Sequence, residues 1–151
     1  MRPDDLPHLC RIFHDAVHEG AAADYDAAQR RAWAPAVPDA AHWADRLAYQ
    51  TVIVAEAEGA VAGFMTLRAD GYLDLAFVAP GLAGQGIGSH LLAAIEAEAS
   101  RRGLDLLTVQ ASLSARPLFE RRGWRMVRAQ TVHPNGVALT NFAMEKRVAS
   151  R

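Results

Sequence analysis

The chain has 151 residues, 51% hydrophobic and 22% charged, with a formal charge of −1 and one cysteine. These figures fit a single globular domain over residues 1–151 and offer no basic surface for nucleic acid or an acidic membrane. They exclude an intramolecular disulfide and a cysteine-based metal cage; no apolar run nears the ~18 residues of a spanning helix, and no signal-peptide core is present, so a cytoplasmic protein is expected.

Asp4 and Asp5 suit the start of a first helix, in which Leu6, Leu9, Ile12, Phe13, Ala16 and Val17 recur at helical spacing and Gly20 marks the end. Cys10 is expected to be a small core hydrophobe. Two short helices follow, over 25–33 and 39–49, separated by Pro35 and Pro38. Trp33 and Trp43 read first as their packing anchors and second as ligand contacts. Three strands come next: 51–56 and 61–67 around the Glu58-Gly59 turn, then 72–78 after Asp70-Gly71. Simple alternation along the third puts Leu73, Leu75 and Phe77 on one face and Tyr72, Asp74, Ala76 and Val78 on the other. An acid inside that apolar strand needs a partner, which singles out Asp74.

A loop containing Gly81, Gly84, Gly86 and Gly88 then opens a helix over 87–102, with Gly103 as its stop. A strand over 104–110, a short helix over 115–122, and strands over 124–132 and 137–146 complete the chain, the last two forming a hairpin around Pro134-Asn135-Gly136. The expected class is α+β, with one parallel crossover across the 87–102 helix. Asn141 is a polar residue inside the last strand, expected first to bond the facing backbone and second to contact a ligand. No cluster of His, Asp or Glu has metal-ligand spacing, so no metal is expected.

A glycine-rich strand-to-helix loop gathers free N–H groups and the positive end of a helix dipole at one point, which suits a pyrophosphate. A nucleotide P-loop would end in Lys-Ser or Lys-Thr, whereas this loop ends Ile87-Gly88-Ser89-His90. A dinucleotide fingerprint would place Gly or Ala where Ser89 stands, and would follow the first strand of its fold rather than the third.

Val78-Ala79-Pro80, the glycines ending at Gly86 and Gly88, and Leu91-Leu92 together resemble the acyl-CoA-binding signature of the GNAT N-acyltransferase superfamily. The segment from Ser112 to Trp124, with Ala115, Glu120 and Gly123, looks like that family's second signature. The resemblance covers nearly the whole chain and implies the GNAT fold, a central mixed and mostly antiparallel sheet with flanking helices. It departs at three positions. Ala83 stands where Arg or Gln is usual, Ser112 where Asn is, and Phe119 where many members carry a tyrosine that reprotonates the departing thiolate. The family also places a strand before a sequence such as Met1 to Asp5, so that strand is expected to be absent or very short here.

The resemblance implies acetyl-CoA as cofactor and direct acetyl transfer to an amine, of a small molecule or a peptide. It implies a pyrophosphate cradle from Ala83, Gly84, Gln85, Gly86, Ile87, Gly88 and Ser89, and backbone contacts to pantetheine and thioester at Phe77 and Val78. Asp74 is the candidate general base, since an amine is protonated near neutral pH. Its alternative is a structural carboxylate. Tyr72 assists it or stands as a rim residue. Ser112 bonds the sulfur or caps a strand end. Tyr25, Trp33 and His133 are candidate acceptor contacts. Relatives often form homodimers, and nothing in this sequence specifies one. The competing reading is a GNAT-like domain that binds acyl-CoA or an effector without turnover.

Overall fold

The computed structural model describes residues 1–148. Residues 3–5 form a single 3-10 turn rather than a strand. The helices are α1 (Leu6–Asp15), α2 (Ala27–Trp33), α3 (Ala40–Leu47), α4 (Ile87–Arg101) and α5 (Arg116–Arg121). The strands are β1 (Thr51–Ala57), β2 (Ala60–Leu67), β3 (Tyr72–Val78), β4 (Leu106–Ser112), β5 (Arg125–Val132) and β6 (Leu139–Arg147). They form one sheet in the order β1-β2-β3-β4-β6-β5, antiparallel throughout except where β3 meets β4. The α+β class and its single parallel crossover are as expected.

Local chemistry sets the element ends. Asp26 and Asp39 accept the N–H groups of Gln29 and Ala41 and so start α2 and α3. α1 runs on into a π-helical turn, Ala16–Gly20. At the end of α4, Gly103 donates to Ser100 and Leu104 to Ala99, the paired closure that a glycine with φ of 77° permits. That closure uses up Leu104, so β4 begins two residues later than periodicity suggests. The β5–β6 hairpin closes through Asn135 and Gly136, both at positive φ, as the Pro-Asn-Gly turn predicts.

The sheet is covered on both faces. On one, Leu91, Leu92 and Ile95 of α4 pack against Met65, Leu73, Leu107 and Met144. On the other, Leu9 of α1 and Trp43 and Leu47 of α3 pack on Phe64 and Leu75. Trp43 is 3% exposed and is a packing anchor. Cys10 is fully buried, and burial together with the charge of Asp39 pushes its thiol up. Burying side chains the size of Phe64 or Leu92 is worth ~2 kcal/mol each, which fixes the sheet as a rigid floor.

The expected alternation along β3 fails at one place. Thr66 pairs with Leu75 while Leu67 pairs with Leu73, so Asp74 is an extra residue opposite β2. This is a β-bulge, and the hydroxyl of the fully buried Thr66 accepts the N–H of Leu75 beside it. The extra residue reverses the facing of everything after it. Leu73, Ala76 and Val78 join the α4 side, whereas Leu75 and Phe77 join the α1/α3 side. Asp74 points to the α3 side, where Arg46 meets it, and so faces away from Val78 rather than with it.

Candidate active site

The bulge coincides with the point where β3 and β4 part. They share only two register pairs, Tyr72 with Thr108 and Leu73 with Val109. Beyond Leu73, β3 pairs with β2 alone and leaves its other edge open, while β4 turns its far side to β6. Ala79 donates to Ala62 of β2 at 2.8 Å. Backbone groups alternate along a strand, so the N–H of Phe77 also faces β2 and the N–H groups of Ala76 and Val78 face the opening. Of the two expected backbone contacts, Val78 therefore has the free donor.

A cavity of about 470 Å3 fills this V, walled by β3 from Tyr72 to Phe77 and β4 from Val109 to Ser112. Phe13, Tyr25 and Trp33 close it from the helical side and Pro134, Leu139 and Asn141 from the hairpin. An aromatic series backs that wall: Tyr25 meets Trp33 edge-on at 5.6 Å, and Phe77 meets Phe13 edge-on at 5.0 Å.

The loop lies past the end of β3. Ala83 to Gly86 are exposed, and Gly84 and Gly86 have φ of 80° and 84°. Gly86 is the N-cap of α4. Open space surrounds the Cα of both glycines, and among the described residues no hydrogen bond uses the N–H groups of Gly84, Gln85, Gly86, Ile87, Gly88 or Ser89. Gly88 has another reason to be glycine: an added Cβ would lie 3.0 Å from Leu118 of α5. The start of α4 is thus packed close to α5 and β3 while its donors stay free. A loop with unused N–H groups at the positive end of a 15-residue helix fits a pyrophosphate without the missing side chain at Ala83.

Among the described residues, Asp74 and Arg46 are the only charged ones in the cavity wall. Arg46 Nε and Nη2 donate to the two oxygens of Asp74 at 3.1 and 2.9 Å, and Gln50 Nε2 donates to Oδ2 at 2.9 Å. Burial pushes the carboxyl of Asp74 up, but these hydrogen bonds and the guanidinium charge outweigh it and hold the group below the usual carboxylate range. In this arrangement Asp74 is an anion of low basicity. Tyr72 stands beside it, and burial and the charge of Asp74 push its phenol up, so it stays protonated.

The other expected residues divide. Tyr25 is 3% exposed, and its hydroxyl donates to the carbonyl of Thr140 at 2.6 Å while accepting the N–H of Leu113 at 2.9 Å. Its ring lines the cavity, but its hydroxyl is spent tying the residue after β4 to β6. Burial pushes that phenol up, against the opposing Leu113 N–H. Ser112 Oγ accepts the N–H of Ala115 at 3.0 Å, so it caps the strand end and also lines the cavity. Trp33 lines it. His133 is exposed and outside the wall, which its neighbour Pro134 reaches instead. Phe119 is 1% exposed and packs edge-on against Trp124 at 4.9 Å. Asn141 lines the cavity with its Oδ1 buried and unpartnered, without the backbone bond expected for it.

Arg46 is the site residue that sequence reasoning missed. The signal was present: Trp43 and Leu47 mark the inward face of α3, and Arg46 lies three residues after the first, on the flank of that face. Among the described residues no group of three or more His, Cys, Asp or Glu side chains is arranged to hold a metal ion.

Known proteins share this fold. Residues 21–146 match the family model described as an acetyltransferase (GNAT) domain. The chain is 37% identical over 143 residues to YafP of Escherichia coli (strain K12), described as an uncharacterized N-acetyltransferase, covering 95% of this chain and 90% of that one. A GCN5-related N-acetyltransferase of Rhodopseudomonas palustris superposes with a TM-score of 0.92 at 34% identity, over 98% of this chain and 92% of that one. The protein yncA of Salmonella typhimurium, solved with its cofactor acetyl-CoA, shares the fold at a TM-score of 0.75 and 19% identity, covering 100% and 92% of the two chains. An open β3–β4 edge, a donor-rich loop before α4 and a family match over most of the chain agree: this protein belongs to the GNAT acetyltransferase family.

Proposed function

We propose that the protein is an acetyl-CoA-dependent N-acetyltransferase that acts on a primary amine of a small molecule or peptide. The observation that carries this reading is the V between β3 and β4, which leads from the free donors of the 84–89 loop to a cavity holding one carboxylate. The whole activity would lie within one domain.

Acetyl-CoA supplies an activated acetyl thioester and a thiolate leaving group. The N–H groups of Gly84 to Ser89 hold its pyrophosphate, helped by the dipole of α4. The open edge of β3 would orient pantetheine, and the Val78 N–H, which faces the opening, would be the donor available to stabilise negative charge on the thioester oxygen. The acceptor amine must shed a proton before it attacks. Asp74 is the one carboxylate in the cavity wall, and it first attracts the ammonium and then accepts its proton, directly or through water. Phe119 supplies no acid, so the proton needed by the departing thiolate would come from the second proton of the amine nitrogen, relayed by water. Tyr72 and Trp33 shape the acceptor side.

The experiment is thiol release from acetyl-CoA across a panel of primary amines, with calorimetry of CoA binding alongside. Amine-dependent release supports the reading. CoA binding without release on any amine supports the second reading, an acyl-CoA-binding domain without turnover, which Phe119 and the closed Arg46–Asp74 pair favour. Gly86→Val is expected to abolish CoA binding, because valine resists the left-handed backbone that the loop needs there. Unchanged CoA affinity in that variant would remove the loop from the site.

A further inference from the structure

Among the described residues the cavity wall contains one cation, Arg46, and it is spent on the group expected to serve as base. We infer that the acceptor is a small zwitterion, with an amine and an oxyanion on the same or adjacent carbon, and that its anion takes Arg46 from Asp74 while its amine takes the place of the guanidinium. This rests on the N-acetyltransferase reading and adds its substrate class.

Geometry and chemistry support the exchange. Arg46 and Asp74 contact each other at 2.9 and 3.1 Å, so an acceptor that engages both must carry its opposite charges close together. Only two of the five donors of a guanidinium are used here, and among the described residues no partner claims the other three. The Arg46 side chain is 42% exposed and that of Asp74 14%, so the cation can swing aside while the anion stays in the wall. Arg46 lies in the last turn of the short helix α3, on a long and flexible stem. Gln50 holds Asp74 through a separate hydrogen bond, which keeps the carboxylate in place when Arg46 leaves. A carboxylate or other oxyanion on the acceptor restores the fork-shaped pair that Arg46 gives up. The aromatic wall of Phe13, Trp33 and Phe77 suits an apolar side chain on the same acceptor.

The exchange also frees the base. Once the guanidinium turns to the acceptor, Asp74 loses the contact that keeps its proton affinity low, and it meets the ammonium instead. The ammonium passes one proton to Asp74. The amine nitrogen then forms the C–N bond as the C–S bond breaks and the thiolate leaves with the electron pair; the second proton of the nitrogen passes through water to the thiolate, and Asp74 returns the first to solvent. An acceptor without an anion leaves Arg46 on Asp74 and the base masked.

The test compares apolar amino acids with their amides, such as leucine with leucinamide and phenylalanine with phenylalaninamide, by thiol release from acetyl-CoA. Amides hold the less basic amine and are intrinsically the easier nucleophiles to deprotonate, so any preference for the acids must come from the site. The wild type is expected to favour each acid over its amide by ~10-fold or more in kcat/KM, the scale of one charge-assisted contact. Arg46→Gln is expected to level or reverse that ratio, and Arg46→Lys to narrow it, chiefly through a higher KM for the acids. A wild type that uses amides as well as acids overturns the inference, as does an unchanged acid-to-amide ratio in both variants. Turnover of amides or simple amines alone sinks it and leaves the acetyltransferase reading standing, whereas no turnover of any amine sinks both. Calorimetric CoA binding confirms that each variant is folded, and Arg46→Lys carries the comparison if Arg46→Gln is not.

Discussion

Among the described residues the two least exposed carboxylates paired with arginine, Glu96 and Asp74, stand in opposite kinds of site. Glu96 of α4 is 9% exposed and accepts from Arg122 at 2.9 Å, Lys146 at 2.8 Å and Trp124 Nε1 at 3.1 Å. Lys146 also donates to the carbonyl of Arg122 at 2.6 Å, so the group joins α4, the end of α5 and β6. Asp74 has a single cation and one amide, and it opens on a cavity. In the first arrangement two cations and an indole claim one anion, and although a hollow lies beside Glu96 and Lys146, replacing these partners would undo the junction of three elements. The second can be exchanged for a ligand without unpacking an element. An ion pair alone therefore says little about its role; how many groups claim the anion, and how many elements they join, distinguish a fastening from a site.

Removing each carboxylate tests that contrast. Glu96→Ala is expected to lower unfolding free energy by about 3 kcal/mol in denaturant titration, because Arg122 and Lys146 are left partly buried without their anion. Its activity per folded molecule should match wild type. Asp74→Asn should do the reverse: a fall in kcat of ~10²-fold, the scale of a general base, with stability moved by less than ~1 kcal/mol because the Arg46 pair is half open to solvent. If Asp74→Asn unfolds the protein and Glu96→Ala abolishes turnover, the two roles are exchanged.

Tyr25→Phe sharpens the comparison with a neutral fastening. It leaves the Thr140 carbonyl and the Leu113 N–H without their shared partner, which should cost about 1–2 kcal/mol by thermal or chemical melting. The smallest effect is in pH. Burial pushes Glu96 up, but the Arg122, Lys146 and Trp124 hydrogen bonds outweigh it and hold its carboxyl below the ordinary range. A carboxyl depressed in the folded state gives stability that is complete above its unfolded value, ~4.3, and fades as pH falls through the lower folded value. The stability gap between wild type and Glu96→Gln should therefore shrink steadily below about pH 4.3 in acid titrations followed by circular dichroism. A gap that widens on acidification would contradict this account of the cluster.

The architecture was readable because its signals are local. Glycines at 84 and 86, the apolar spacing of Leu91, Leu92 and Ile95, and the Pro134-Asn135-Gly136 turn each determine backbone geometry within a few residues. What stayed hidden depends on partners far along the chain. The β3 sequence alternates without a break, and the bulge at Asp74 exists only because β2 presents Thr66 and Leu67 opposite three residues. Arg46 resembles any solvated cation on a short polar helix until α3 is laid over β3. Tyr25 was legible as a residue near the site, but its hydroxyl is bound by Thr140, 115 residues later. Asn141 shows the opposite: strand propensity suggested a partner, and its Oδ1 has none.

The most direct test of the central claim is thiol release from acetyl-CoA with the best primary amine of the panel, measured for wild type and Asp74→Asn at matched CoA affinity. The account predicts amine-dependent release by wild type and a ~10²-fold lower kcat in the variant. Equal rates in the two proteins, or CoA binding with no release on any amine, would contradict it.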